Sequence, residues 1–247
     1  LAFHILIRSF ASRNNSIMNI EEIYEIFRAH PVITTDTRQC PEGSIFFALK
    51  GERFNGNAFA RQALEAGCAY AVVDEEISES DERFIRVDDV LKTLQDLAHY
   101  HREQFHGPVL QITGTNGKTT TKELAAAVLG EKWHVTFTQG NLNNHIGVPR
   151  TLLTLPFLSD ENEIAVIETG ANHPGEIAFL SNIVDPDCGL ITNVGRAHLE
   201  GFGSFEGVIA TKTELYTSLR QKKEGFIFLH GDNENLVPKS EGLKSIK

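Results

Sequence analysis

The fold is decided by the stretch Val109-Leu-Gln-Ile-Thr-Gly-Thr-Asn-Gly-Lys-Thr-Thr-Thr121. It opens with a short apolar run, which is typical of a buried parallel strand. Glycines, a lysine and hydroxyl side chains follow, and Leu124, Ala125, Val128 and Leu129 then mark one face of a helix. A strand, a glycine loop, a lysine and a helix in this order favour phosphate binding. Backbone N–H groups and the helix N-terminus attract the phosphate oxygens.

This loop departs from the strict phosphate-binding pattern G-x-x-x-x-G-K-[ST] at one position. Ile112 stands where the pattern has its first glycine, which leaves a shorter loop. In the usual arrangement Lys118 would neutralise the terminal phosphates and Thr119 would offer its hydroxyl to Mg²⁺. The alternative is a glycine turn that happens to carry a lysine. The predicted nucleotide-binding residues are Gly114, Thr115, Asn116, Gly117, Lys118, Thr119 and Thr120.

Length and composition limit the classes of protein to consider. The chain has 247 residues, enough for two domains, and 41% of them are hydrophobic and 23% charged, as in ordinary globular proteins. A net charge of −10 argues against a nucleic-acid partner and against an anionic membrane surface.

Cys40, Cys68 and Cys188 are widely spaced and in no metal-binding pattern. We therefore expect a cytoplasmic protein with no membrane partner. We also expect a monomer, although no residue pattern bears on the oligomeric state.

Residues 1–17 differ from the rest of the chain. They carry Arg8 and Arg13, several serines and asparagines, and no acidic residue, and the only methionine is Met18. An upstream extension before a natural start at Met18 explains this, and a transit peptide is the alternative. We expect this leader to be disordered and leave it out of the fold.

The first domain is predicted over residues 18–106. Helices are expected at about 20–27, 57–66 and 89–105, and strands at about 45–49, 69–73 and 84–87. Thr35-Asp-Thr-Arg38 and Lys50-Gly51 put hydroxyls and two cations on loops near strand ends. They form a candidate anion-binding surface, and a solvated loop with an Asx turn is the alternative.

The second domain is predicted over residues 107–247, where strands and helices alternate. Alternation of this kind predicts a parallel sheet with helices on both faces, and function at the carboxyl ends of the strands. The last ten residues are expected to be irregular. Further strands are expected at about 134–138, 164–168, 189–194 and 225–229, and helices at about 149–155, 175–183 and 205–219.

Polar side chains stand at those predicted strand ends. Glu168 ends an apolar strand, where a magnesium ligand would lie, bound directly or through water. Gly140-Asn-Leu-Asn-Asn144 is an amide-rich loop or a simple turn. His198 is a ligand or a surface histidine, and the residues alone leave both open. Lys212 lies in a predicted helix, where a lone lysine is normally a solvated surface charge.

Taken together, these motifs resemble the Mur ligase family, the ATP-dependent amide-bond ligases of bacterial cell-wall precursor synthesis. The short loop found here is the family's form, which accounts for Ile112. Within the family the motifs are most similar to the members that add D-alanyl-D-alanine. They are Thr35-Asp-Thr-Arg38, Phe46-Phe-Ala-Leu-Lys-Gly51, the loop 114–119, Gly140–Pro149, Glu168–Glu176 and Asn193–Gly203.

The resemblance implies a small N-terminal α/β substrate domain followed by a P-loop-type parallel-sheet ATPase domain. It also implies a reaction in the bacterial cytoplasm. ATP would phosphorylate the terminal carboxylate of UDP-MurNAc-tripeptide, and the amine of D-Ala-D-Ala would attack the resulting acyl phosphate. Two Mg²⁺ ions and Lys118 would neutralise the negative charge.

The resemblance also assigns roles to residues by motif position. Lys212 matches the lysine that the family carbamylates, a change that converts a cation into an anion able to hold the second ion. The implied catalytic residues are Lys118, Lys212, His198 and Asn144. The implied metal-binding residues are Thr119, Glu168, His198 and Lys212. The implied substrate-binding residues are Thr35, Asp36, Thr37, Arg38, Lys50, Gly51, Asn141, Asn143, Asn172, His173 and Arg196.

The chain departs from the family pattern at three points. Asn55-Gly-Asn57 replaces the family's Asp-Gly-His, and His230 stands where an asparagine near the adenine is usual. The sequence also ends at Lys247, before the family's C-terminal ligase domain, so we expect an incomplete central domain and an inactive fragment. The alternatives are a non-catalytic nucleotide- or UDP-sugar-binding chain, and another Mur-type ligase, such as a diamino-acid-adding enzyme or a folylpolyglutamate synthase.

Overall fold

The computed structural model describes residues 17–77, 81–157, 162–196 and 199–247. The chain divides into two compact units, between Tyr100 and His101. This division lies inside a helix, slightly before the domain boundary that the sequence predicts near residue 107. Within the described ranges, no helix combines the length and the apolar character needed to cross a membrane. Nearly all of the predicted leader lies outside the described residues.

The first unit contains a parallel sheet. Its elements are α1 (Ile20–Ala29), β1 (Ile33–Thr34), β2 (Ile45–Phe47), β3 (Lys50–Gly51), β4 (Phe54–Asn55), a 3₁₀ helix (Gly56–Phe59), α2 (Ala60–Glu65), β5 (Tyr70–Val73), β6 (Phe84–Arg86) and α3 (Val90–Glu103). The sheet order is β1-β2-β5-β6, all parallel, and β3 pairs with β4 in the antiparallel sense. Helix α1 begins at a capping box in which Asn19 and Glu22 bond to each other's backbone N–H groups.

The second unit contains a six-stranded parallel sheet. Its elements are β7 (Val109–Thr113), α4 (Lys118–Leu129), β8 (His134–Phe137), α5 (Gly147–Leu152), β9 (Glu163–Glu168), α6 (Glu176–Val184), β10 (Cys188–Ile191), α7 (Leu199–Phe202), α8 (Phe205–Lys212), α9 (Glu214–Arg220), β11 (Phe226–Phe228), a 3₁₀ helix (Pro238–Ser240) and β12 (Lys244–Ile246). The strand order is β12-β11-β10-β7-β9-β8. The α/β class and the parallel sheet are as the alternation predicts.

Strand register brings the site residues to one edge of this sheet. Every residue of β7 is buried, and β7 pairs with β9 so that Ile112 lies opposite Glu168. On its other side β7 pairs with β10, with Thr113 opposite Ile191. The segments that follow these strands therefore start side by side.

Three local predictions in this unit are wrong. The predicted apolar face of α4 is rotated: Leu124 and Val128 are 63% and 71% exposed, whereas Lys122 and Ala126 are buried. The chain end is not irregular, because β12 adds a parallel edge strand to β11. The helix expected over 205–219 is interrupted at Thr213, between α8 and α9.

A buried arginine holds the start of the second unit together. The Arg102 guanidinium donates hydrogen bonds to the carbonyl oxygens of Phe105, Val184 and Asp185, at 3.0, 3.1 and 2.9 Å. It also pairs with Asp187 at 3.0 Å. Burial lowers the pKa of Arg102, with Asp187 opposing the shift. Arg102 thereby supplies donors to carbonyls at the C-terminal end of α6.

Replacing Arg102 with methionine should destabilise the fold. The change leaves these carbonyl oxygens without their donor, so we expect a loss of about 3 kcal/mol in the free energy of unfolding. Urea denaturation measures this loss. Arg28→Met, which removes an exposed arginine paired with Glu25, should change stability by less than about 0.5 kcal/mol. Equal effects of the two substitutions would contradict the role given to Arg102.

Candidate functional site

The loop between β7 and α4 depends on two glycines with positive φ angles. Gly114 has φ +143°, and a side chain there would collide with the Thr192 hydroxyl. Gly117 is the N-cap of α4 with φ +78°, and a Cβ at this position would have nothing within 4 Å. Gly114 therefore permits a close approach of two segments, whereas Gly117 keeps the helix N-terminus open to solvent.

The segment after β10 fixes the shape of this loop. Thr115 N donates to Asn193 O at 3.0 Å, and Asn116 N donates to Asn193 Oδ1 at 3.1 Å. In return, Thr192 Oγ1 donates to Asn116 O at 2.7 Å, and Gly195 N donates to Thr115 Oγ1 at 2.9 Å. These four hydrogen bonds thus fix the glycine loop to the segment after β10.

Glu168 is the buried carboxylate of the site. It is 1% exposed and lies at the end of β9. Its Oε1 accepts hydrogen bonds from Thr119 Oγ1 at 3.3 Å and from Asn143 Nδ2 at 2.8 Å. Its Oε2 is buried and finds no hydrogen-bond partner in the described part of the chain. A buried carboxylate oxygen without a partner is costly unless a cation or a donor completes it.

The amide-rich loop contributes Asn143 rather than Asn144 to this carboxylate. Asn143 O also accepts a hydrogen bond from Gly170 N at 2.8 Å, which ties the loops after β8 and β9 together. The Asn144 side chain is used locally: its Oδ1 accepts from Ile146 N and Gly147 N at the start of α5. Asn141 is exposed.

A half-buried lysine, Lys118, and a buried one, Lys212, lie at the same edge of the sheet. Lys118 Nζ donates to Thr115 O at 3.1 Å, and burial lowers the pKa of Lys118, with Glu168 opposing. Lys212 is 3% exposed, and its Nζ donates to Ala171 O at 3.4 Å. Burial, with repulsion from Lys118, lowers the pKa of Lys212 to about 8. Lys212 is therefore not the solvated surface charge that its helix position suggested.

The loop 170–176, which follows β9, is held by two carboxylates. Glu176 Oε2 accepts from the backbone N–H groups of Asn172 at 2.6 Å and His173 at 3.2 Å. Glu214, the first residue of α9, accepts from Gly175 N at 2.8 Å and from Ala178 N at 2.9 Å. The side chains of Asn172 and His173 are exposed.

The remaining candidates in the second unit are placed as follows. The Arg196 side chain is exposed, with its guanidinium 5.8 Å from the centre of the Phe205 ring. Thr120 is exposed in the first turn of α4. His198 lies outside the described residues. Among the residues that are described, no group of three or more His, Cys, Asp or Glu side chains forms a ready-made metal site.

In the first unit, both candidate cations are paired with carboxylates. The Arg38 guanidinium donates to both carboxylate oxygens of Asp36 at 2.6 to 3.1 Å. Asp36 Oδ1 also accepts from Arg38 N in an Asx turn. Lys50 Nζ lies 2.9 Å from Asp74 and 3.0 Å from Glu75, and these two carboxylates raise the pKa of Lys50. Thr35 and Thr37 are half-buried, and Gly51 is exposed.

Several residues of the site escaped the sequence analysis. Asn193 was quoted only as the start of a motif and Thr192 lay in a predicted strand, yet they carry most of the contacts to the glycine loop. Thr138 and Glu214 looked like ordinary strand and helix residues. Their partners lie 30 and 36 to 39 positions away in the chain, so only the three-dimensional arrangement reveals them.

The fold and the site together define a P-loop-type nucleotide-binding α/β protein. The model of the Mur ligase middle domain matches residues 112–245, and the model described as Mur ligase family, catalytic domain, matches residues 31–102. The first match alone covers more than half of the chain. The chain therefore belongs to the Mur ligase family, as its motifs suggested.

Individual relatives agree with this assignment. UDP-N-acetylmuramoyl-tripeptide–D-alanyl-D-alanine ligase of Bacillus subtilis is 40% identical over 227 residues, which is 88% of this chain and 49% of the relative. The Escherichia coli ligase of the same name is 42% identical over 203 residues, 82% of this chain and 44% of the relative. The chain spans about half the length of the curated relatives that it matches.

Solved structures give the same result. MurF from Acinetobacter baumannii superposes with a TM-score of 0.77 at 36% identity, covering 87% of this chain and 47% of the other. MurF ligase from Thermotoga maritima in complex with ADP superposes with a TM-score of 0.74 at 33% identity, covering 87% and 49%.

The two loop glycines give a matched pair of substitutions. In Gly117→Ala the added Cβ touches nothing, and only the left-handed backbone conformation is unfavourable. We expect this substitution to lower the free energy of unfolding by about 1 kcal/mol. In Gly114→Ala the backbone angle is unfavourable and the added Cβ collides with the Thr192 hydroxyl. We expect this substitution to lower the free energy of unfolding by about 3 kcal/mol. Urea denaturation of the two variants measures the difference. If Gly114→Ala were no more destabilising than Gly117→Ala, the close approach of the two segments would be wrong.

Proposed function

We propose that this chain supplies the UDP-MurNAc-tripeptide-binding and ATP-binding parts of a ligase. The ligase would use ATP to join D-alanyl-D-alanine to the tripeptide. The observation that carries the proposal is the buried carboxylate of Glu168, which lies 3.3 Å from the Thr119 hydroxyl and keeps one oxygen unpaired. The names of the relatives supply the substrates, and the glycine loop supplies the site for a nucleotide.

The phosphates of ATP would lie at the N-terminus of α4. The first N–H groups of a helix have no partner within the helix, and the helix dipole favours negative charge at that end. Gly117 leaves this end uncovered, and Lys118 adds a positive charge beside it. Unpaired N–H groups and one cation are the groups that a triphosphate needs.

The residues present also fit a magnesium ion. Mg²⁺ prefers oxygen ligands and is usually held by one or two protein groups together with phosphate oxygens and water. The Thr119 hydroxyl and the unpaired Oε2 of Glu168 would serve this ion. Motif position alone assigns His198 to a metal as well. When bound, Mg²⁺ would neutralise charge on the phosphates during transfer.

Lys212 would hold a second ion after carbamylation. Carbon dioxide adds to the neutral amine, and burial favours that form because it lowers the pKa of Lys212 to about 8. The resulting carbamate is an anion beside Lys118, where an unmodified lysine would be repelled. This change gives a physical reason for a buried lysine at the end of α8.

The reaction proceeds in two steps. The terminal carboxylate of the tripeptide attacks the γ-phosphorus of ATP, which gives an acyl phosphate and releases ADP. The amine of D-Ala-D-Ala then attacks the acyl carbon, and phosphate leaves from the tetrahedral intermediate. Lys118 would neutralise the transferring phosphoryl group, and the amide loop with Asn143 and Asn144 would lie near the phosphate or acyl group.

The remaining substrate contacts are assigned by motif position. In the first unit, Thr35 to Arg38 with Lys50 and Gly51 would bind the UDP-sugar part. Both cations there are already paired with carboxylates, so they would bind phosphate only by sharing or exchanging these partners. In the second unit the exposed side chains of Asn141, Asn172, His173 and Arg196 are available to the peptide.

Phosphate release tests the proposed reaction. ATP, UDP-MurNAc-tripeptide and D-Ala-D-Ala are mixed either with this chain or with the product of the complete reading frame. We expect phosphate release in the complete product that requires all three substrates. No turnover in either form would contradict the ligase and leave a non-catalytic nucleotide-binding protein. Turnover with a diamino acid or glutamate in place of D-Ala-D-Ala would instead indicate another Mur-type ligase.

Substitution of Lys212 tests the carbamate. Lys212→Ala in the complete product should reduce turnover by about 100-fold or more, because it removes a ligand of the second ion. A short-chain carboxylic acid supplied with bicarbonate should restore part of the activity. Lys223→Ala, which removes an exposed lysine of the same unit, should leave turnover unchanged. Full activity of Lys212→Ala would exclude the carbamate role.

A further inference from the structure

Helix α4 carries a second lysine that the proposed mechanism does not use. Lys122 is one turn beyond Lys118 and is 0% exposed. Its three ammonium hydrogens face three oxygen acceptors. These are Thr138 O at 2.5 Å, Gly140 O at 3.3 Å and the Glu123 carboxylate at 2.9 Å. Its Nζ also lies 5.6 Å from the centre of the Phe137 ring.

We propose that Lys122 is a positioning residue that fixes Glu168 and the amide loop 140–144 relative to Thr119. The proposal rests on the proposed function for what Glu168 does, but the contacts that carry it are independent of any ligand. Lys122 and Thr119 are on the same helix, three residues apart. Whatever Lys122 holds is thereby held at a set distance from the Thr119 hydroxyl.

A continuous series of hydrogen bonds runs from Lys122 to both ends of Glu168. Lys122 fixes Thr138, whose Oγ1 accepts a hydrogen bond from Glu168 N at 2.9 Å. Lys122 Nζ also donates to Gly140 O at the start of the amide loop. Further along this loop, Asn143 Nδ2 donates to Glu168 Oε1 at 2.8 Å. The backbone and the side chain of Glu168 are thus set by two branches that begin at the same ammonium group.

The position of Lys122 favours a role in the site over a role in stability. Burying a charged group is expensive, and a buried ion pair is often replaced by an apolar side chain of similar volume without loss of stability. If Lys122 served only to fill space, methionine at this position would give the same stability. Lys122 instead directs two hydrogen bonds, to Thr138 O and Gly140 O, toward the segment that sets the geometry of Glu168, as residues around metal ligands commonly do.

Four variants of the complete protein test this inference. Lys122→Met keeps the volume and removes the donors, and Lys122→Gln keeps part of the hydrogen bonding without charge. Thr138→Val cuts the branch to the Glu168 backbone. Lys132→Met changes an exposed lysine just beyond the same helix and is the matched control. Thermal unfolding shows first which variants remain folded.

Two measurements are made on each folded variant. In the ligand-free protein, hydrogen exchange at the amides of Glu168 and Gly170 reports the two branches directly, because these amides donate to Thr138 Oγ1 and Asn143 O. In the presence of nucleotide, calorimetry gives the ratio of ADP affinities with and without Mg²⁺. A residue that serves only stability would leave the ratio of ADP affinities unchanged in a folded variant, and would speed exchange at all amides that open by global unfolding rather than at these two.

We expect Lys122→Met to remain folded and its Gly170 amide hydrogen to exchange about tenfold faster or more. The factor by which Mg²⁺ raises ADP affinity should fall about tenfold in this variant. Affinity without Mg²⁺ should stay within about twofold. Lys122→Gln should lie between Lys122→Met and wild type. Thr138→Val should expose the Glu168 amide and lose a similar part of the gain, and the double variant Lys122→Met/Thr138→Val should lose less than the sum.

Normal exchange and a normal Mg²⁺ effect in Lys122→Met would overturn the proposal. Unfolding of both Lys122 variants would overturn it too, since Lys122 would then serve stability. If wild type shows no Mg²⁺ effect on ADP binding, the proposed function fails. The exchange data would then still decide whether Lys122 positions Glu168.

Discussion

The divided environment of the Glu168 carboxylate is the constraint on which the site depends. One oxygen is held by Thr119 from the glycine-loop helix and by Asn143 from the amide loop, while the other is buried without a partner among the described residues. A carboxylate removed from water in this way lowers stability unless something compensates its charge. The arrangement is explained if the compensating group is part of the ligand.

The parallel sheet makes this arrangement possible. Since β7, β9, β8 and β10 run in the same direction, the segments after their carboxyl ends meet at one edge. Each segment then binds its neighbour: the glycine loop binds 192–195, the amide loop binds Gly170, and α9 binds the start of α6 through Glu214. The half-buried Lys118 and the buried Lys212 lie at the same edge, so the site concentrates positive charge in a chain whose net charge is −10.

Much of the fold was predictable because it follows from local patterns. Alternating apolar strands and helices predicted the parallel sheet, and Gly114 to Thr119 predicted the phosphate-binding loop despite Ile112. The face of α4 was not predictable in the same way. Leucine and valine normally mark the buried side of a helix, yet here the buried side includes Lys122, whose acceptors lie 16 and 18 positions away. A charge is buried when distant backbone oxygens receive it, and periodicity does not reveal such partners.

The side-chain pairings in the first unit were also beyond the sequence. Lys50 and Arg38 looked like free cations, but Asp74, Glu75 and Asp36 pair with them. Asn57, where a helix was expected to begin, is buried and hydrogen-bonds to Asp74. Strand β12 was missed because a three-residue edge strand with an exposed side-chain pattern has no apolar signal.

The most direct test of the account is the effect of Mg²⁺ on nucleotide binding by wild type and by Glu168→Gln. ADP affinity is measured by calorimetry with Mg²⁺ and with a chelator. The account predicts that Mg²⁺ strengthens ADP binding about tenfold or more in wild type, and that Glu168→Gln loses this gain and keeps its affinity without Mg²⁺. An undiminished Mg²⁺ effect in Glu168→Gln would contradict the claim that the unpaired oxygen of Glu168 serves the metal.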